Sequence, residues 1–226
     1  MFKDKGILFG TLATIILIAG GIFLMTKGSS APTVTNSKKV SQDILIPKNE
    51  YVTSGIQNGN YLPATESAKV ILVEFGDYQC PACGEYHPLI KQLLTEFAGR
   101  INFVFRNFPL SQHKNSQGSA MAAEAVGING KFWQMHDKLY ETQAEWSVLP
   151  DPKDVFASYA ASLGVESNKF ISDFNSQVIK DKIKADLNDA NLININATPT
   201  FYINGTKLET LPNSYDELKK LVSDQL

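Results

Sequence analysis

The chain's only two cysteines, Cys80 and Cys83, stand two residues apart, between a strand-like run and a helix-like one. A structural disulfide stabilises chiefly by closing a long loop in the unfolded chain, and a pair this close closes almost none. The spacing therefore points to redox chemistry or to metal binding. A structural zinc site wants four ligands. With no second cysteine pair, the others would have to come from His87, His113, His136 or carboxylates. Before the pair, Val70–Phe75 (VILVEF) is short, apolar and rich in β-branched residues, which predicts a buried strand. After it, Pro81 suits a first helical position, where its missing N–H costs nothing, and Gly99 suits the helix end. Cys80 thus falls where free N–H groups and the helix dipole favour negative charge. Such a place lowers a thiol pKa, and the thiolate is the attacking species. Cys83, about one turn further in, is placed to resolve a mixed disulfide formed at Cys80.

The elements around this junction follow from pattern. Ile101–Phe108 (INFVFRNF) reads as a second strand and Thr200–Ile203 (TFYI) as a third. Asn204-Gly205 is a hairpin turn, with a returning strand from Lys207 to Glu209. Ser214, with Glu217 three residues on, forms a capping box that opens a closing helix, Ser214–Gln225. From about residue 112 to 194 no strand run occurs. Segments such as SAMAAEAVGI and FWQMHDKLYETQ instead carry apolar residues at three- and four-residue spacing, which predicts several amphipathic helices. Two strand–helix elements imply a parallel pair and the hairpin an antiparallel one, so the class is α/β.

Residues 7–25 (ILFGTLATIILIAGGIFLM) hold no charge. About 20 apolar residues span a bilayer core, and the run is longer than the apolar part of a usual cleaved signal. An uncleaved N-terminal membrane anchor, a transmembrane helix, is expected over residues 1–27. A polar linker is expected over 28–59, rich in Ser, Thr, Asn and Lys. Lys3 and Lys5 lie before the run and Lys27, Lys38 and Lys39 after it, so charge alone sets orientation weakly. Hydrophobic residues at 43% suffice for a substantial core. A net charge of −2 offers no basic surplus, which argues against a nucleic-acid partner.

Three motifs, VEFGDYQCPACGEYHP, KFWQMHDKLYE and ATPTFYINGTKL, stand in order with the helical block among them. Together they resemble the DsbA-like branch of the thioredoxin superfamily, over about residues 60–226. The resemblance implies a thioredoxin-like fold with the helical block, about 112–194, inserted into it. It also implies a protein disulfide oxidoreductase. On that likeness Cys80 is the nucleophile, Cys83 the resolving partner, and the two form the redox-active disulfide. Glu74 matches a buried carboxylate that relays protons to and from the resolving cysteine. Thr198 and Pro199 match a cis-proline loop that faces the active site and pairs with substrate backbone. Independently of the likeness, Glu74 interrupts an apolar strand. If buried there its pKa should rise; the alternative is a strand-end carboxylate facing solvent. Two positions depart from the family pattern. Ala82 stands where strongly oxidising members often carry His, and Ala197 stands where glycine is usual.

Other residues carry weaker signals. His87, seven residues from Cys80, could tune the thiolate, but a surface or packing role is the plainer reading. His136, with Phe132, Trp133 and Leu139, has the spacing of a packed helix face. Tyr78 and Phe108 could line a substrate groove, although a core role suits Phe108 better. The reading reached is introduction or exchange of disulfide bonds in extracytoplasmic proteins, with no metal and no cofactor. The partners expected are secreted or surface proteins with cysteines and, by resemblance only, a membrane reoxidase. The place expected is the cell membrane, single-pass, with the catalytic domain outside the cytoplasm. Two alternatives stay open: an isomerase or reductase of the same fold, and a non-enzymatic thiol module that binds copper or zinc.

Overall fold

The computed structural model describes residues 39–48 and 50–226. In chain order these form α1 (Gln42–Leu45), β1 (Val52–Gln57), β2 (Asn60–Pro63), β3 (Val70–Gly76), α2 (Pro81–Glu96) and β4 (Ile101–Asn107). Six helices follow without a strand: α3 (Ser116–Gly127), α4 (Phe132–Glu141), α5 (Gln143–Trp146), α6 (Lys153–Ser162), α7 (Ser167–Phe174) and α8 (Gln177–Leu192). The chain closes with β5 (Thr200–Ile203), β6 (Thr206–Lys207) and α9 (Tyr215–Ser223). The six strands form one sheet in the order β2-β1-β4-β3-β5-β6. Strands β3 and β4 are parallel, and the other pairings are antiparallel. This is the thioredoxin-like α/β arrangement with a helical insertion between β4 and β5, as the motifs imply.

The local signals act as read, with small adjustments. Asn204 and Gly205 both have positive φ, 49° and 84°, as a two-residue hairpin turn of the primed type requires. The returning strand is shorter than expected, Thr206–Lys207. The Ser214 hydroxyl accepts the Glu217 N–H, and the Glu217 carboxylate accepts the Asn213 N–H, one residue earlier than the usual reciprocal bond.

The N-terminal boundary differs from the expectation. The stretch expected as linker through residue 59 holds α1 and β1, both part of the packed domain. Its residues look loop-like because they are small or polar, yet Thr53, Ser54 and Gly55 are buried. The Thr53 hydroxyl donates to the carbonyl of Leu62, which removes the cost of burying it. Gly55 lies under α2, where a Cβ would come within 2.5 Å of the Leu94 carbonyl, and its φ is +131°. The available clue was Asn58-Gly59, the same turn dipeptide as at 204–205. The expected anchor, residues 1–27, lies outside the described residues. Among those described, no helix is long and apolar enough to cross a membrane.

Strand alternation decides what each face of the sheet offers. Val70, Leu72, Phe103 and Phe105 pack under α2 and the insertion. Val73, Phe75, Val104 and Tyr202 form a second core on the other face, with Leu45 from α1 and Ala190 from α8. Glu74 has the parity of Leu72 and so faces α2. Arg106 has the parity of Val104 and is fully buried on the second face. Its guanidinium donates to Asp186 at 2.9 Å, to Asp189 at 2.7 Å and to the carbonyls of Ile44 and Leu45. One side chain thus ties β4, α8 and α1 together. Removing it takes from Asp186, 1% exposed, its guanidinium partner and leaves that buried carboxylate with only Asn107, at 3.0 and 3.1 Å, and Lys182, at 3.5 Å. Arg106→Ala should therefore lower unfolding free energy by about 3–5 kcal/mol. Equilibrium urea unfolding reads this directly, and a loss under about 1 kcal/mol would show that the network carries no net stability.

Candidate active site

The central strand β3 ends at Gly76, and four residues later the chain enters α2. Asp77 shapes the turn between. Its backbone carbonyl accepts the Cys80 N–H at 3.0 Å. Its buried carboxylate accepts the N–H of Gln79 at 2.8 Å and of Leu110 at 3.0 Å, and bonds His113 Nδ1 at 2.6 Å. The insertion holds the same turn from the other side. Gln143 Nε2 donates to the carbonyls of Tyr78 at 2.7 Å and Cys80 at 2.9 Å. Gln79 donates to the Ser147 carbonyl and accepts the Asn115 N–H. Gly84 lets Gln143 approach, because a Cβ there would lie 2.7 Å from its Oε1.

Cys80 is the N-cap of α2, with Pro81 following. It keeps a narrow opening to solvent, at 7%, whereas Cys83 in the first turn has none. Both are free thiols. A hydrogen bond from Cys83 is the main cause that holds the Cys80 thiol far below its ordinary value, down to about 5. Partial burial opposes this, while Thr198 and the backbone N–H groups of Cys83 and Ala82 add to it. Ala82 therefore contributes through its main chain what its side chain lacks. Cys83 moves the opposite way. Burial first, then its bond to Cys80 and the charge on Glu74, push its thiol well above the usual range.

Glu74 is 3% exposed, which excludes the solvent-facing alternative. Burial raises its carboxyl to about 8, helped by negative charge at Cys80 and moderated by a hydrogen bond with Cys83. Its Oε1 has no partner among the described residues. From the far end of the chain, the Thr198 carbonyl lies 3.5 Å from Cys80 Sγ, and the Thr198–Pro199 peptide bond is cis. The structure thus brings all five sequence-derived residues, Cys80, Cys83, Glu74, Thr198 and Pro199, to one place.

Four other residues singled out in the sequence, His87, His136, Tyr78 and Phe108, are all buried. His87 is a packing residue, 8% exposed and bonded to Asp137 at 2.9 Å; Tyr61 and Lys91 hold the same carboxylate. His136 is buried beside Tyr78 at 3.1 Å, and burial depresses it to about 3, so it stays neutral. Tyr78 does not line a groove. It is 1% exposed, with its ring against Phe105 and Tyr140, because the insertion covers it. Phe108 is a core residue, as the plainer reading had it. Asp77, Gln79 and Gln143 were missed. Asp77 and Gln79 lie inside the cysteine motif without a pattern of their own, and Gln143 is a polar residue 63 positions from Cys80 with no sequence signal. Among the described residues, no group of three or more His, Cys, Asp or Glu side chains is placed to hold a metal ion.

A family model described as thioredoxin matches residues 64–224. The chain belongs to the thioredoxin family. The DsbA-like fold is shared with oxidised BdbD from Bacillus subtilis, at a TM-score of 0.65 and 25% identity over 83% of this chain and 95% of that one. It is shared also with the thiol-disulfide exchange protein alpha-DsbA2 from Wolbachia pipientis, at a TM-score of 0.64 and 21% identity over 81% and 90%. In sequence, a Na(+)/H(+) antiporter NhaA 1 from Salinispora arenicola is 36% identical over 149 residues, which cover 66% of this chain. Only 22% of that antiporter is covered, so the likeness concerns one segment of it.

The split in thiol acidity has a direct consequence. Cys80 should keep its thiolate down to about pH 5, against 8.5 for a free cysteine. The depressed thiol also stabilises the folded dithiol form above the ordinary thiol pKa, and that gain fades as pH falls through 5. Glu74, whose carboxyl is raised, acts oppositely: its contribution is complete below 4.5 and is lost as pH rises through 8. Iodoacetamide labelling of the dithiol protein from pH 3.5 to 9 should modify Cys80 with a midpoint near 5 and leave Cys83 largely unmodified. A midpoint above 7 would contradict the geometry.

Proposed function

We propose that the chain exchanges disulfides with cysteine-containing proteins outside the cytoplasm, chiefly by donating the Cys80–Cys83 disulfide. The observation that carries this is the placement of the two thiols, Cys80 at the N-cap of α2 with an opening to solvent and the Thr198 carbonyl at 3.5 Å, and Cys83 sealed one turn behind it. A substrate thiolate attacks Cys80 Sγ, the Cys80–Cys83 bond breaks, and its electron pair leaves on Cys83. Glu74, protonated near neutral pH, supplies the proton that the buried Cys83 thiolate needs. A second substrate thiolate then attacks the mixed disulfide, and Cys80 departs as an already stabilised thiolate. A low thiol pKa favours the dithiol form, which makes the disulfide the stronger oxidant. This favours oxidation over the reductase alternative. The carbonyl of Thr198 beside the sulfur fits a role in pairing with substrate backbone next to its cysteine.

The apolar run at residues 7–25 supports a membrane-tethered form with this site on the extracytoplasmic side, where an oxidant is useful. A membrane oxidase that returns the dithiol to the disulfide would complete the cycle.

In cells, Cys83→Ser should accumulate mixed disulfides, because Cys80 still exchanges but no internal thiol releases the substrate. Cys80→Ser should accumulate few, since Cys83 is buried and not ionised. Non-reducing gels resolve these as reducible high-mass species. Equal trapping by the two variants would refute the role assignment, and trapping by neither would favour the metal-binding alternative.

A further inference from the structure

Among the described residues, five buried side-chain oxygen atoms lack a hydrogen-bond partner, and three adjoin the dithiol. Glu74 Oε1 and Thr198 Oγ1 are already accounted for by their places beside Cys83 and Cys80. The third, the Tyr140 hydroxyl, comes from α4 of the insertion. A buried hydroxyl without a partner costs stability, and proteins retain few of them.

Its position explains why it is kept. The Tyr140 ring lies 5.1 Å from that of His87, which is one helical turn beyond Cys83 on α2. It lies 4.9 Å from Tyr78, two residues before Cys80, and edge-on to Phe105 at 6.2 Å. Phe105 pairs in register with Glu74 across the parallel strands. A Cβ on Gly76 would come within 2.4 Å of the Phe105 ring and 2.9 Å of Glu74 Oε1, so ring and carboxylate meet at one spot. Glu74, Phe105, Tyr140 and the first turn of α2 therefore surround the resolving thiol. Of the charges near Tyr140, a thiolate at Cys83 acts on it most strongly, followed by a carboxylate at Glu74.

We infer that Tyr140 is a positioning residue for the resolving step, a buried hydroxyl beside the route that negative charge takes between Cys83 and Glu74. With Cys83 a thiol and Glu74 protonated, no charge is there, and no acceptor lies in hydrogen-bonding geometry with the hydroxyl. When a dithiol molecule has formed a mixed disulfide through Cys80 and Glu74 has released its own proton, as a value near 8 allows, the Cys83 proton passes to the Glu74 carboxylate. Cys83 Sγ then forms its bond to Cys80 Sγ, the Cys80–substrate bond breaks, and the electron pair leaves on the substrate sulfur. Charge appears on Cys83 only during this passage, and a buried O–H dipole that turns toward it only then speeds the step without binding the ground state. In the donating direction the same hydroxyl stabilises Cys83 as the leaving thiolate. The inference rests on the exchange chemistry proposed above.

Single-turnover reaction of the dithiol full-length protein with a peptide disulfide, acid-quenched and resolved by mass, separates the two steps. Formation of the mixed disulfide reads Cys80, and its disappearance reads Cys83. In Tyr140→Phe, formation should stay within twofold of wild type and disappearance should slow about tenfold. The thermal midpoint should hold or rise, because an unpartnered hydroxyl has been removed. Tyr159→Phe is the control. It also removes a buried unpartnered hydroxyl, one whose ring faces Lys138, and both rates should be unchanged. Disappearance within twofold of wild type in Tyr140→Phe would overturn the inference. So would a slowing of both steps with a lowered midpoint, which marks a merely structural role. If wild type itself formed no mixed disulfide, the exchange reading would fall and the inference with it.

Discussion

A hydrogen bond between the Cys83 thiol and the Cys80 sulfur does most to hold negative charge at the head of α2, and the other parts of the site serve it. For Cys83 to remain a donor it must stay protonated, and complete burial ensures this. Burial in turn creates a difficulty, because a sealed thiol cannot exchange its proton with water when it has to react. Glu74, buried on the same face of β3 by strand alternation, is positioned to provide that exchange. Its own burial places its carboxyl near 8, where gain and loss of a proton are both accessible.

The insertion belongs to this arrangement rather than decorating it. Gln143 grips two carbonyls of the turn that presents Cys80, while Ser147 and Asn115 grip Gln79. Asp77 pins the same turn from below through Gln79, Leu110 and His113. A turn held from both sides keeps Cys80 at the N-cap, where the N–H groups of Ala82 and Cys83 reach its sulfur. The absence of a histidine at position 82 is therefore compensated by main-chain donors and by Thr198, and it does not by itself argue against an oxidant.

The strands β3, β4 and β5 were legible in the sequence because each is a compact apolar run. The insertion was legible because its apolar residues recur at helical spacing. Cys80 and Cys83 were legible by rarity and spacing, and Glu74 because a charge inside VILVEF is conspicuous. β1 was not, since Thr53, Ser54 and Gly55 are buried through a hydroxyl bond and a glycine contact that hydropathy does not register. α1 has only four residues, and its place depends on Arg106, sixty residues further on. Gln143 and Tyr140 were invisible for the same reason: their roles are long-range contacts of residues ordinary in their own helices. Pro199 was readable only through family resemblance, because nothing local distinguishes it.

The central claim, that this electrostatic arrangement makes the disulfide an oxidant, is tested most directly by the reduction potential of the Cys80/Cys83 couple at pH 7. Holding Cys80 as a thiolate stabilises the dithiol form, which moves the potential upward by on the order of tens of millivolts even after solvent screening. Equilibration against glutathione buffers should give a value nearer about −120 mV, the range of strong oxidants, than about −270 mV, the range of reductants. A potential at or below about −270 mV would contradict the account and assign the chain to reduction instead.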